Sequence, residues 1–131
     1  MTRLGAVRGR VPAAIGPVIA RPSYEVVDAF LYVLQLRHQP AVLALSRQPL
    51  PTFDGAKYAS AAGVAHGAYV MADAPGGSPE IILIASGSEV SLIVEAHEAL
   101  IAKGVRSRVV SMPSWDIFEH QPQSYREEVL P

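Results

Sequence analysis

The stretch EIILIASGSEVSLIVEAHEALIAKGVRSRVVSM, residues 80–112, decides the fold. Residues 81–85 are consecutively apolar and run straight into Ser86-Gly87-Ser88-Glu89. Beyond that turn, Val90, Ile93, Val94, Leu100 and Ile101 recur at helical spacing and line one face. Ser86 and Glu89 stand three apart, the spacing of a capping box, and Lys103-Gly104 is a good helix stop. Residues 105–112 then read as another strand, with Val109 and Val110 at its buried centre. Strand, helix, strand is the mark of a layered α/β fold.

Working outward, residues 68–72 read as a further strand. The Pro-Gly-Gly-Ser-Pro connection at 75–79 predicts that it forms a hairpin with residues 81–85. Gly76 and Gly77 need only turn chemistry there, since glycine adopts positive φ cheaply. Downstream, Trp115, Ile117 and Phe118 fall on a turn or short helix. Trp115 is expected to anchor the core with its indole N–H satisfied. SYREEVLP begins a final helix whose Glu127-Glu128 reads as a solvated face.

Upstream the pattern changes. Residues 49–63 carry two prolines, Asp54-Gly55 and the small-residue run ASAAG, and read as an extended connection. Before it, Ser23 stands at an N-cap position, and Glu25 complements the positive end of the helix that follows. Val27, Phe30, Leu31 and Leu34 define the stripe expected to be buried. Arg37 and His38 suit the helix end, and Pro40 prevents continuation. Residues 41–45 read as a strand buried on both faces, as in a parallel sheet. Helix then strand is the second half of a βαβ unit, and residues 17–20 could supply the first strand. Earlier residues show no clear period.

Composition narrows the function classes. Half of the 131 residues are hydrophobic, enough for a real core, and the formal charge is −1. That balance argues against a broad nucleic-acid or acidic-membrane footprint, so any anion must be recognised locally. Cysteine is absent, which removes disulfides, zinc thiolate sites and thiol nucleophiles. Apolar runs fall short of the ~20 residues that span a bilayer. Arg3, Arg8 and Arg10 precede a weakly apolar stretch broken by Pro12, Gly16 and Pro17, which reads against a cleaved signal. The expectation is a cytoplasmic protein without nucleic-acid or membrane partners.

Among side chains, Arg47 stands out, because AVLALSRQPLP delivers a single guanidinium at the carboxyl end of a strand. In open α/β sheets that edge binds ligands, and a guanidinium pairs bidentately with phosphate or carboxylate. The alternative is a surface arginine closing a salt bridge. Ser86-Gly87-Ser88 could offer free amides to an anion, but it lacks the lysine and length of a phosphate loop, and Glu89 opposes an anion. Structural capping is the favoured reading. The four histidines, His38, His66, His97 and His120, are scattered without metal-ligand spacing, and His97 suits packing or surface. No nucleophile elbow occurs, so no complete active site is legible.

At LSRQPLP, and then in GAYV, ILIASGSEV and VVSMPSWDIFE, in that order and spacing, the chain resembles transketolase from about Arg21 onward. The resemblance implies transfer of a two-carbon ketol unit between sugar phosphates by an enzyme using thiamine diphosphate and a divalent metal such as magnesium, acting as a homodimer. It implies a partial parallel sheet followed by a linker and an incomplete three-layer α/β C-terminal domain. The corresponding division is an unassigned segment at 1–20, the end of the pyrimidine-binding domain at 21–50, a linker at 51–64 and a C-terminal-like domain at 65–131. Arg47 matches the family arginine of SRQ that binds the substrate's terminal phosphate.

The family's diphosphate, metal and proton-transfer residues have no counterparts here, so the resemblance transfers no catalytic or cofactor-binding residue. RPSYEVVDAF is two residues shorter than the usual family reading. The expectation is a truncated or frame-disrupted transketolase chain, inactive alone. Its rival is a stand-alone, non-catalytic α/β binding or regulatory module resting on the self-contained β-α-β pattern of residues 81–112.

Overall fold

The computed structural model describes residues 18–20, 24–46 and 49–131. Ser23, expected to cap the first helix, and Arg47 therefore lie outside the described residues.

The first unit is strand β1 (Val18–Ala20), helix α1 (Tyr24–Gln35) and strand β2 (Leu43–Leu45). β1 pairs parallel with β2, Val18 opposite Leu43, so residues 18–20 do supply the first strand of a βαβ unit. A 3-10 turn, Ala61–His66, follows. Then come β3 (Tyr69–Ala72), β4 (Ile81–Ala85), a short turn at Gly87–Glu89 and α2 (Val90–Ala102). β5 (Ser107–Ser111), α3 (Trp115–Glu119) and α4 (Gln123–Val129) complete the described elements.

β5 is buried along its whole length and lies between the other two strands of its sheet, parallel to β4 and antiparallel to β3. The pleat sends its successive side chains to opposite faces. Val109 joins a cluster with Val64, Met71, Val90 and Val94, and Val110 joins another with Ala68, Met112, Phe118 and Val129. Helices α2 and α4 cover these two faces, which makes an α/β layered unit as expected.

The hairpin expected between residues 68–72 and 81–85 does not form, because β5 sits between those strands. The crossover through α2 brings β5 alongside β4, with Glu80 N–H donating to the Arg106 carbonyl at 2.7 Å as pairing begins. The Gly76-Gly77 loop, at φ 80° and 75°, turns the chain without strand pairing.

The stripe assigned to α1 is also reversed. Leu34 is 73% exposed, and Val27, Phe30 and Leu31 are exposed with it. The buried positions are Glu25 and Ala29, one turn apart, with Val26 and Tyr32 packed beside them. α1 is apolar on more than one side, so periodicity alone leaves its inward face open. Its contact with the 61–66 turn selects the face with the small Ala29. Residues 41–45 are likewise not buried on both faces, for Val42 and Leu45 are exposed and Leu43 alone reaches the core edge.

Three local expectations change as well. Residues 61–66, within and just beyond the connection read as extended, coil into the 3-10 turn, and Ala61 and Val64 enter the core. The Ser86 side chain makes no capping bond. Gly87, at φ 56°, adds a turn, so α2 begins at Val90 and Ser86 no longer occupies its cap position. Trp115 is 56% exposed; its indole N–H does find a partner, donating to Glu119 at 2.6 Å, while Ile117 and Phe118 fill the core instead.

Candidate functional site

The carboxyl ends of β2 and β4, each a member of a parallel pair, open on one cleft of about 340 Å³. Ala44, Leu45 and Ser46 form one wall, and Ser86, Gly87, Ser88 and Glu89 form the other. This is the strand edge at which open α/β sheets hold ligands. Ser46 on the rim is the residue before Arg47. The Glu89 side chain, exposed on the opposite wall, brings a carboxylate to a cleft whose other described lining residues are uncharged. An anion entering here needs a cation to offset that charge, and the 86–89 turn supplies none. A second cleft of about 410 Å³ shares Ser86 and Glu89 and continues along Ile84, Met112 and Trp115.

A buried hydrogen-bond group lies behind the cleft. Tyr69 Oη and Ser111 Oγ donate to Glu25 Oε1 at 2.8 and 2.6 Å, joining α1 to the β3–β5 pair. The segment after β2 is fastened by Tyr58, whose hydroxyl donates to Glu98 on α2, and by the Lys57–Glu98 ion pair.

Arg108 organises the opposite face. It is 6% exposed, and its guanidinium meets Asp73 through two nitrogens at 2.8 and 3.0 Å. A third nitrogen donates to the Glu128 and Val129 carbonyls at 2.6 and 3.2 Å, which caps the end of α4. Asp73 is consequently held below the usual carboxylate range, with Arg108 the main cause.

Sequence reasoning missed both groups. The sequence shows Glu25 only as a first-turn carboxylate suited to the helix dipole, whereas the structure buries it fully. The signal available for Arg108 was a lone arginine inside the strand SRVVS, where a fully buried strand can keep a charge only if it is paired.

The histidines do not converge. His38, His66 and His120 are exposed, and His97 is buried with Nδ1 2.8 Å from Ser107 Oγ. Among the described residues no three His, Cys, Asp or Glu side chains are grouped to hold a metal.

Burial pushes the His97 pKa below its ordinary value, against an opposing pull from Glu98. The unfolded chain therefore takes up this proton at higher pH than the native state does. The stability owed to neutral His97 is complete above the ordinary histidine value of about 6.5 and is lost as pH falls below it. Urea midpoints are expected to fall more steeply between pH 7 and pH 5 in the native sequence than in His97→Gln. Equal slopes would remove His97 as the cause.

Residues 67–131 match the family described as the transketolase-like C-terminal domain. The chain is 52% identical over 118 residues to a transketolase of Halalkalibacterium halodurans, covering 88% of this chain and 18% of that protein. Among solved structures it resembles transketolase from Leishmania mexicana, with a TM-score of 0.79, 42% identity, and coverage of 88% of this chain and 16% of the other. It also resembles a Pichia stipitis transketolase described in complex with sedoheptulose-7-phosphate, with a TM-score of 0.76, 32% identity and the same coverage. The chain thus spans less than a fifth of the length of these relatives. No helix among the described residues is long and apolar enough to cross a membrane.

Proposed function

Because this chain belongs to the transketolase family, we propose that it contributes the phosphate-facing strand end of an enzyme that moves a two-carbon ketol unit between sugar phosphates. In this reading residues 21–50 are the end of the pyrimidine-binding domain, 51–64 the linker and 65–131 a C-terminal-like domain. Arg47 holds the terminal phosphate of the sugar. Support comes from the SRQ motif directly after β2, whose preceding residue, Ser46, lines the cleft. A guanidinium suits the task because it offers paired, charge-assisted hydrogen bonds to a dianion and offsets the cost of removing that charge from water.

Thiamine diphosphate and a divalent metal would supply the carbon–carbon chemistry, in a cytoplasmic homodimer. The described residues do not fit either group. They present no metal-ligand grouping, and the 86–88 turn that could meet a diphosphate carries the Glu89 carboxylate beside it. No catalytic step is therefore assigned to this chain.

The test is a chimaera in which residues 21–131 replace the equivalent segment of an intact relative. Arg47→Met in that enzyme is expected to raise KM for sugar phosphates about a hundredfold, the worth of one or two charge-assisted hydrogen bonds. KM for an unphosphorylated aldose should hardly move. Equal increases for both substrates would remove the phosphate role. Tight binding of thiamine diphosphate and magnesium by the 131-residue chain alone would overturn the view that other polypeptide holds them.

A further inference from the structure

We infer that Glu25 is a positioning residue whose buried carboxylate fastens α1 to the β3–β5 pair and thereby holds the Ser46 rim of the cleft against the 86–89 turn. Tyr69 and Ser111 are direct partners across the β3–β5 register. Their hydroxyls converge on the same oxygen of Glu25, which is 0% exposed. Directly opposed residues on antiparallel strands bring their side chains together, so this pair makes a two-hydroxyl socket on the sheet face. A first-turn glutamate left in water would gain a weak dipole interaction at no desolvation cost. Burying it is unfavourable unless strong hydrogen bonds offset the loss of water, which makes the docking geometry specific.

The surroundings support one docked arrangement. A β-carbon added at Gly63 would overlap the Tyr69 side chain, so the 61–66 turn approaches that ring as only glycine allows. Ala29, one turn beyond Glu25, is fully buried beside the same cluster. α1 leads through residues 36–42 into β2, which ends at the cleft. A helix that slips on the socket carries that strand end with it. The docking claim stands on these contacts alone, whereas its consequence for ligand affinity rests on the Arg47 reading.

The experiment compares the full 131-residue chain with Glu25→Leu, which removes the acceptor, and Glu25→Gln, which keeps an acceptor oxygen. Amide hydrogen exchange is read segment by segment, together with binding of ribose 5-phosphate. In Glu25→Leu, residues 24–46 are expected to exchange at least tenfold faster, while β4 and α2 change less than about twofold. Affinity for ribose 5-phosphate should fall about tenfold, and Glu25→Gln should restore most of both. Should the leucine variant fail to fold, Tyr69→Phe and Ser111→Ala each remove one hydroxyl and should give smaller changes in the same segment.

Unchanged exchange, a uniform loss across all elements, or a glutamine variant no better than leucine would overturn the socket. Faster exchange with unaltered affinity would overturn its positioning role. If the native chain alone shows no affinity for ribose 5-phosphate, the affinity arm is read as KM in the chimaera, where an unchanged KM in Glu25→Leu would overturn the positioning role.

Discussion

Gly67→Ala is expected to destabilise the chain by ~4 kcal/mol, combining a strained backbone with a clash that cannot relax. Gly67 ends the 61–66 turn at φ 81°, in the left-handed region that a β-carbon disfavours. Its N–H donates to the Val64 carbonyl at 3.0 Å, and its carbonyl accepts from Ser114 N–H at 2.9 Å. The added methyl would meet the Phe118 nitrogen and the Ser114 carbonyl oxygen well inside van der Waals contact. Both are backbone atoms of α3 and its cap residue, Ser114, which is itself buried. Relief would therefore require moving the helix.

Gly104→Ala provides the control. It shares a left-handed conformation, φ 80°, but its β-carbon would have no heavy atom within 4 Å. Only the conformational cost of ~1 kcal/mol should appear. Urea unfolding followed by circular dichroism compares the two, and equal losses would refute the clash at Gly67.

The second large effect belongs to Arg108→Met, expected to cost ~3 kcal/mol. Methionine retains much of the apolar stem but leaves the Asp73 carboxylate without its partner and the last α4 carbonyls without their donor. Asp73 is 44% exposed, so water can rehydrate part of it, which keeps the loss at the lower end of that range. Arg108→Lys should recover little, because one ammonium cannot reach Asp73 and the Glu128 carbonyl in the fork geometry observed.

The pair also makes stability acid-sensitive. The native Asp73 carboxyl is depressed, so the unfolded chain protonates it first on acidification. The stabilisation is complete above the ordinary carboxylate value and is lost as pH falls through the native one. Urea midpoints of Arg108→Met should lack this part of the acid decline. A midpoint within error of the native sequence at pH 7 would contradict the role assigned to Arg108.

Much of the fold was legible because local rules agreed with each other. The apolar run at 81–85, the helical spacing from Val90 and the Lys103-Gly104 stop all pointed to strand, helix, strand, and each formed where expected. Val109 and Val110 are both fully buried at the centre of the sheet. Ser46, directly after β2, lines the cleft, whereas Arg47 lies outside the described residues. The other wall was harder to read: the turn residues were evident, but not their meeting with β2, which depends on a contact between segments about forty residues apart.

The residues themselves thus determined which segments become strand or helix, the absence of any thiol chemistry, and the motifs that carry the family likeness. These depend on period, composition and turn chemistry, all of which act over a few positions. Tertiary structure alone decided that β5 rather than β4 pairs with β3, that α1 turns Glu25 and Ala29 inward while Leu34 faces out, and that Trp115 stays outside the core. Several of these segments are apolar on more than one side, so hydrophobicity permits more than one arrangement. The choice falls to contacts that exist only after distant segments meet: two hydroxyls waiting for a carboxylate, and an arginine that must find its aspartate.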